Sequence, residues 1–154
     1  MPINLNELKT FLSAANKNTY ANKDALKSAS LRPASEDYHF EQGGFIFHDT
    51  YFGGRDFIGE GIVYQKQKPI WGMNYYGFLL KDVPEDEVYS LLREALMQDY
   101  DDLLPVRGPR EYISGNNKYQ NTLNGKLDRF SGTEKILLND EIVYKCWYHG
   151  GLIR

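Results

Sequence analysis

Two carboxylates set among aromatic rings are the residues whose types and spacing best suit chemistry. Glu60 and Asp49 lie in the stretch Asp49 to Gly77, DTYFGGRDFIGEGIVYQKQKPIWGMNYYG, the densest run of aromatics and glycines in the chain. A carboxylate on an apolar face must be paired, hydrogen-bonded or protonated, because an unpaired buried charge is costly. Two roles are open to Glu60. It binds a cation or donor of a ligand, with Trp71, Tyr75 and Tyr64 offering ring faces. Or it is structural, held by a tyrosine hydroxyl or a loop amide. Asp49 reads as the more structural of the two, tied by an ion pair to the loop around Arg32.

Other reactive side chains offer less. His39, His48 and Glu41 share a strand face and have donor types that suit zinc, but their spacing matches no metal motif. Cys146 has His149 close in sequence, but alternation sends the two to opposite faces, so Cys146 reads as a small core residue. No phosphate-binding loop, dinucleotide-binding glycine motif or serine elbow is present. No catalytic residue, metal or cofactor is assigned.

The elements that must position these groups are strands. Apolar residues come in short runs bounded by glycine pairs. Gly43-Gly44 and Gly53-Gly54 suit two-residue hairpin turns, and Lys66-Gln67 makes a third. The expectation is a four-stranded antiparallel meander over Asp37–Gln42, Phe45–Phe52, Arg55–Gln65 and Pro69–Gly77. With three two-residue turns, Tyr38 opposes Asp49, Phe40 opposes Phe47, Phe47 opposes Glu60, and Glu60 opposes Met73. Tyr38, Phe47, Asp49, Glu60, Tyr64, Trp71, Met73 and Tyr75 then share one face and line a pocket. Gly59, Gly61 and Gly72 fall on the other face, where a helix or backbone could approach.

A helix from Leu5 to Ala15 precedes the meander, capped by Asn4 with Glu7 three residues on. A second begins after Pro84, with Glu85, Asp86 and Glu87 in its first turn, and runs to about Leu104. More strands follow near Glu111–Gly115, Lys118–Leu123, Lys126–Leu138 and Ile142–Gly150. The halves look related. Phe57-x-Gly59 matches Phe130-x-Gly132 at a shift of 73 residues, and at that shift Trp71 meets Tyr144, Tyr75 meets Tyr148 and Gly77 meets Gly150. The fold class expected is α+β, one domain over 1–154, with a helix plus four-stranded meander duplicated as pseudo-repeats 1–80 and 81–154 about a pseudo-twofold.

Bulk properties narrow the classes. The 154 residues suit one domain, and 42% hydrophobic with 14% aromatic content suits a folded globule. A net charge of −3 with no basic run argues against direct nucleic-acid binding. One cysteine excludes an intrachain disulfide and suits a reducing compartment. No signal pattern or membrane-length apolar run is seen, so the expected location is cytoplasmic, with no membrane partner.

The strings Ser28 to Ser35, Asp49-Thr50-Tyr51-Phe52-Gly53-Gly54, Phe57-x-Gly59-Glu60 and Trp71-x-Met73-Asn74-Tyr75-Tyr76-Gly77 resemble an uncharacterised bacterial domain family. Its members occur alone or after a helix-turn-helix DNA-binding module. Where that family often carries a second glutamate after Glu60, this chain has Gly61. The resemblance implies a sensor role, since a domain tied to a DNA reader is commonly the sensor. The doubled plan also resembles, in topology only, the gyrase-inhibitor-like effector-binding domains, which bind amphipathic or cationic small molecules over a glutamate among aromatics. The function expected is therefore non-catalytic binding of an unidentified small molecule around Glu60. The alternatives are a protein-interaction or homodimerising module, and an enzyme using Glu60 or Asp49 as acid–base.

Overall fold

A computed structural model of the chain describes residues 2–154. The chain runs α1 (Leu5–Asn18), β1 (Glu36–Gln42), β2 (Phe45–Gly53), β3 (Phe57–Gln65), β4 (Lys68–Leu79), α2 (Glu85–Leu96), β5 (Glu111–Ser114), β6 (Asn117–Lys126), β7 (Arg129–Leu138) and β8 (Glu141–Leu152). The architecture is α+β. All eight strands form one antiparallel sheet in the order β1-β2-β3-β4-β8-β7-β6-β5, so two meanders join side by side through β4 and β8.

Both helices cover one face of that sheet. Asn4 caps α1 by accepting from the amides of Asn6 and Glu7, and its own amide reaches Glu7. Leu8, Phe11, Leu12 and Ala15 bury the inner stripe of α1, with Phe11 against Phe40 and Phe45. On α2 the stripe is Val88, Leu91, Leu92, Ala95 and Leu96. That helix stops at Leu96, short of Leu104, because the polar run Gln98 to Asp102 offers no further stripe to bury. The chain from there to Arg110 is a loop that folds inward and buries Leu103, Val106 and Arg107.

Register decides which residues meet, and two local features move it from the expected one. The β2–β3 connection holds three residues rather than two, with Gly53 paired to Phe57. Gly53 sits at φ +98, and a Cβ there would lie 2.1 Å from the Asp56 carbonyl oxygen, so this turn demands glycine. Phe47 therefore opposes Val63 instead of Glu60, an odd shift that turns β3 over. A bulge at Val63/Tyr64 then shifts the next pairing by one residue, so Glu60 opposes Asn74 instead of Met73. The second slip cancels the first for β4. Trp71, Met73 and Tyr75 share the inner face with Phe47 and Asp49 as expected, while Ile58, Glu60 and Ile62 face outward.

Gly59 and Gly61 thus lie on the helix-covered face, and side chains rather than a helix fill their space. A Cβ on Gly59 would meet the Tyr75 hydroxyl at 2.4 Å, and one on Gly61 would meet the Phe47 ring at 2.7 Å. The second meander repeats these devices at the same 73-residue shift. Tyr148 lies over Gly132 as Tyr75 lies over Gly59, and Phe130 lies against Gly150 as Phe57 lies against Gly77. Bulges occur at Val63/Tyr64 and at Ile136/Leu137. The tight turns Lys66-Gln67 and Asn139-Asp140 both take positive φ at both residues. Tyr75 and Tyr148 themselves are register partners across β4–β8.

Candidate functional site

Between α2, the chain after α1 and the inner face of the first meander lies an open cleft of about 850 Å3. Asp49 on β2 and Tyr75 on β4 are at its floor with Arg107 from the loop after α2. Tyr51, Phe57 and Tyr89 give it ring walls, and Asp24, Glu85, Asp86 and Glu94 give it a mostly acidic rim.

Each floor residue is fixed by its neighbours. The Tyr75 hydroxyl crosses above Gly59 and donates to Asp49 Oδ1 at 2.6 Å. Asp49 Oδ2 has no partner among the described residues, although the residue is only 7% exposed. Burial raises the Asp49 carboxyl, the Tyr75 hydrogen bond and the Arg107 charge oppose it, and the net result is about 6. Desolvation and the facing Asp49 charge push the Tyr75 phenol well above its ordinary value. It therefore acts as donor to the carboxylate. The Arg107 guanidinium lies 5.3 Å from the Tyr75 ring centre and donates to Glu134 Oε1 at 2.7 Å. Glu134 also accepts from Tyr119 and, at 3.2 Å, from Tyr144. A buried charge with this many partners is satisfied. Within this network, Arg107 Nε is left without one.

The structure splits the eight residues expected to share a pocket. Asp49 and Tyr75 line the cleft, and Phe47 and Met73 line a small hollow beside it that also touches Arg107. Tyr38 is buried on the same face, 3% exposed. Trp71 is sealed in the core, stacked on Phe130 at 5.7 Å with its indole N–H donating to the Leu127 carbonyl. Glu60 and Tyr64 do not belong to this set. β3 is turned over relative to the expected register, and both point to the outer face. The Glu60 carboxylate is 44% exposed and lies 3.6 Å from Arg32, which also sits over the Phe52 ring at 5.0 Å. Arg32 thus pairs with Glu60 and not with Asp49.

The remaining candidates are occupied structurally. His39 and His48 are cross-strand partners as expected. His48 hydrogen-bonds Asp37 at 2.7 Å and His39 bonds Glu41 at 2.7 Å. No group of three metal-ligating side chains is close enough to hold an ion among the described residues. Cys146 opposes Glu134, is fully buried as a small core residue, and burial pushes its thiol up to about 12.

Sequence reasoning missed Arg107, Glu134 and Asp37. Asp37 is buried beneath the Ser28–Ser35 loop, which it anchors through Ser35 Oγ at 2.5 Å, with Thr50 Oγ1 and His48 at 2.7 Å. Burial raises its carboxyl, but those hydrogen bonds outweigh it and hold the group at about 2. The string of serines around Leu31-Arg32-Pro33 carried a signal for it, since serines two to three residues from an aspartate commonly bond it.

Residues 49–153 match the model of a protein family described as a domain of unknown function, DUF5680. The match starts at the cleft carboxylate and runs through β8. No curated protein and no solved structure matches the chain.

Proposed function

The chain belongs to the DUF5680 family, and we propose that its Asp49 cleft binds a small amphipathic molecule carrying a cationic or hydrogen-bond-donating centre, in a non-catalytic effector role. One observation carries this reading: a buried carboxylate with one oxygen uncommitted stands at the floor of an aromatic-walled, acid-rimmed cleft. Carboxylate plus ring walls is the chemistry that recognises organic cations. Asp49 takes over the part first given to Glu60, because the Glu60 carboxylate is half in water on the opposite face. Binding is favoured over turnover because Asp49 has a tyrosine donor but no second acid or nucleophile within hydrogen-bond reach.

The paired devices at the 73-residue shift support an internal duplication about the Tyr75–Tyr148 pair, with the cleft developed in one half. They also support, at the level of plan alone, kinship with gyrase-inhibitor-like effector domains.

A thermal-shift screen with amphipathic cations tests the reading. Hits raise the melting temperature, Asp49→Asn abolishes the rise, and Glu60→Gln keeps it. The gain grows as pH rises from 5 to 7, because the carboxyl at about 6 must ionise to hold the cation. A hit that survives Asp49→Asn with unchanged affinity defeats the proposal.

A further inference from the structure

The sheet face turned away from both helices is covered over β1–β3 by the Ser28–Ser35 loop, with Arg32 on Phe52 and beside Glu60, and is open from β4 across to β6, where its side chains sort by type. Along its centre run rings: Tyr76 packs on Phe78 at 5.8 Å, and Phe78 stacks on Trp147 at 5.5 Å with 23° between planes. Tyr76 and Trp147 are register partners on β4 and β8, and they are 45% and 49% exposed. Beside the rings, β6, β7 and β8 alternate inward core residues with outward cations and neutral polar groups. Lys126 pairs with Arg129 in register, and Lys135 pairs with Lys145. Thr122, Asn124 and Ser131 stand between them.

Two features of this patch lack a purpose within the fold. Directly opposed lysines are destabilising, and Lys135 and Lys145 oppose each other with no carboxylate partner. The ion pairs among the described residues use Lys17, Lys27, Arg32, Lys81, Arg107, Arg110 and Lys118, none of them in this set. The charge is also uneven. A chain of net charge −3 leaves the outer face of β7–β8 free of carboxylates, and the one carboxylate that shares a hollow with Tyr76 and Trp147, Glu60 on β3, is paired with Arg32. No basic run marks this in the sequence, because the cations are spaced along three strands and alternate with core residues.

We propose that this face binds single-stranded nucleic acid, with bases stacking on Trp147 and Tyr76 and phosphates tracking Lys135, Lys145 and Arg129. A flat sheet with exposed rings beside cations, amides and hydroxyls is the chemistry that takes unpaired bases and their backbone. A duplex hides its bases from such rings. A second copy laid on the same face would set lysines against lysines. This surface lies across the sheet from the Asp49 cleft, so the two proposals stand or fall separately.

The test is fluorescence anisotropy of the full chain with labelled oligothymidylate and oligouridylate of about ten nucleotides at low salt, matching the reach of one such surface. Tryptophan emission is read alongside, since Trp147 is exposed and Trp71 is sealed. The expected result is binding with emission quenching and a log–log salt slope of about −2 for three phosphate contacts on a single strand. Trp147→Ala weakens binding on the order of tenfold, and Trp147→Phe restores it. Replacing Lys135 and Lys145 together by Ala weakens binding at low salt and flattens the salt slope. Asp49→Asn leaves binding unchanged. These positions are on the surface, so the variants keep the fold, and circular dichroism confirms it. The proposal is overturned by an unchanged anisotropy at about 100 μM protein. Affinity indifferent to Trp147→Ala, equal affinity for heparin, or a dimer that protects Trp147 from quenchers overturns it equally.

Discussion

Tyr75 and Tyr148 face each other across the middle of the sheet and do the same thing in opposite directions. Tyr75 passes its hydroxyl over Gly59 to Asp49, two strands away; Tyr148 passes its own over Gly132 to Asn121. Beyond that, the halves part. In the first, the acceptor is a carboxylate and the space above it is open. In the second, the acceptor is an amide whose Nδ2 donates to the Gly108 carbonyl at 2.9 Å, and the loop after α2 fills the space. Asn121 has both its amide groups used. Asp49 has an oxygen to spare. An uncommitted carboxylate and empty volume therefore occur together in the first half, whereas at the matching place in the second half a fully bonded amide lies in close packing. A charge without a full set of partners is tolerable where water or a ligand can reach it.

The largest effect is expected from breaking the filled half. Arg107→Ala leaves Glu134 buried and without its cation, which costs about 3–5 kcal/mol. Urea denaturation followed by circular dichroism measures it. The same change removes the positive charge that partly restrains Asp49, so the Asp49 carboxyl moves further up. A loss below about 1 kcal/mol means that the loop is not what holds the second half closed.

Arg107 also shows where the sequence stopped being readable. The two helices and the eight strands were legible because apolar periodicity, alternation and turn dipeptides are local signals. The start of α2 at Glu85, the turns Lys66-Gln67 and Asn139-Asp140, and the pairing of Tyr38 with Asp49 all follow from neighbours in the chain. The inner placement of Asp49, Tyr75 and Met73 was legible too, but partly through two cancelling errors. One extra residue in the Gly53 turn and one bulge at Val63/Tyr64 reversed β3 alone. Nothing local announces a bulge, and because the side-chain period is two, a single residue moves Glu60 from core to solvent. Arg107 and Glu134 lie 27 residues apart, in a loop and a strand, and only the folded chain brings them together.

The glycines sharpen the contrast. The atoms nearest to a Cβ at Gly77 all belong to the Phe57 ring, the closest at 2.4 Å, and that ring borders the cleft into which it can yield. A Cβ at Gly150 would meet the Gly72 carbonyl oxygen at 2.2 Å and the Met73 Cα at 2.9 Å, both backbone of the neighbouring central strand. Gly150→Ala should therefore cost about 3 kcal/mol and Gly77→Ala about 1 kcal/mol, within the range for overpacked cores. Thermal melts of the two variants rank them. Equal losses would mean that the open half has no more give than the closed one.

Exchanging the two acceptors probes the charge directly. The Asp49 carboxyl stands near 6 in the folded protein against 3.8 ordinarily, so the folded state holds its proton more tightly than the unfolded chain. Stability from that proton is present below about pH 4 and is lost as pH rises through 6. Asp49→Asn removes the loss while leaving an acceptor for Tyr75. It should stabilise the ligand-free protein by roughly 3 kcal/mol at pH 8 and by far less at pH 4, each pKa unit counting for ~1.4 kcal/mol. Asn121→Asp should destabilise by a similar amount at pH 8, since it sets a carboxylate against the Gly108 carbonyl. Chemical denaturation at the two pH values reads both; an Asp49→Asn difference independent of pH would show that the group is ionised without penalty.

The smallest effect belongs to Glu60. Its carboxylate is 44% exposed, its partner Arg32 is 54% exposed, and they stand 3.6 Å apart on the outer face. Such a pair gains little Coulomb energy in water and costs side-chain freedom to hold. Arg32 also keeps its contact with the Phe52 ring when the carboxylate is neutralised. Glu60→Gln should therefore shift stability by no more than ~0.5 kcal/mol, and salt should erase the difference. Titrating the variant with any cation found to bind the wild type gives the second half of the answer. Unchanged affinity places the binding carboxylate on the helix side of the sheet at Asp49, whereas a loss of tenfold or more would put the ligand on the outer face, beside Arg32 and Trp147, and leave the Asp49 cleft without a tenant.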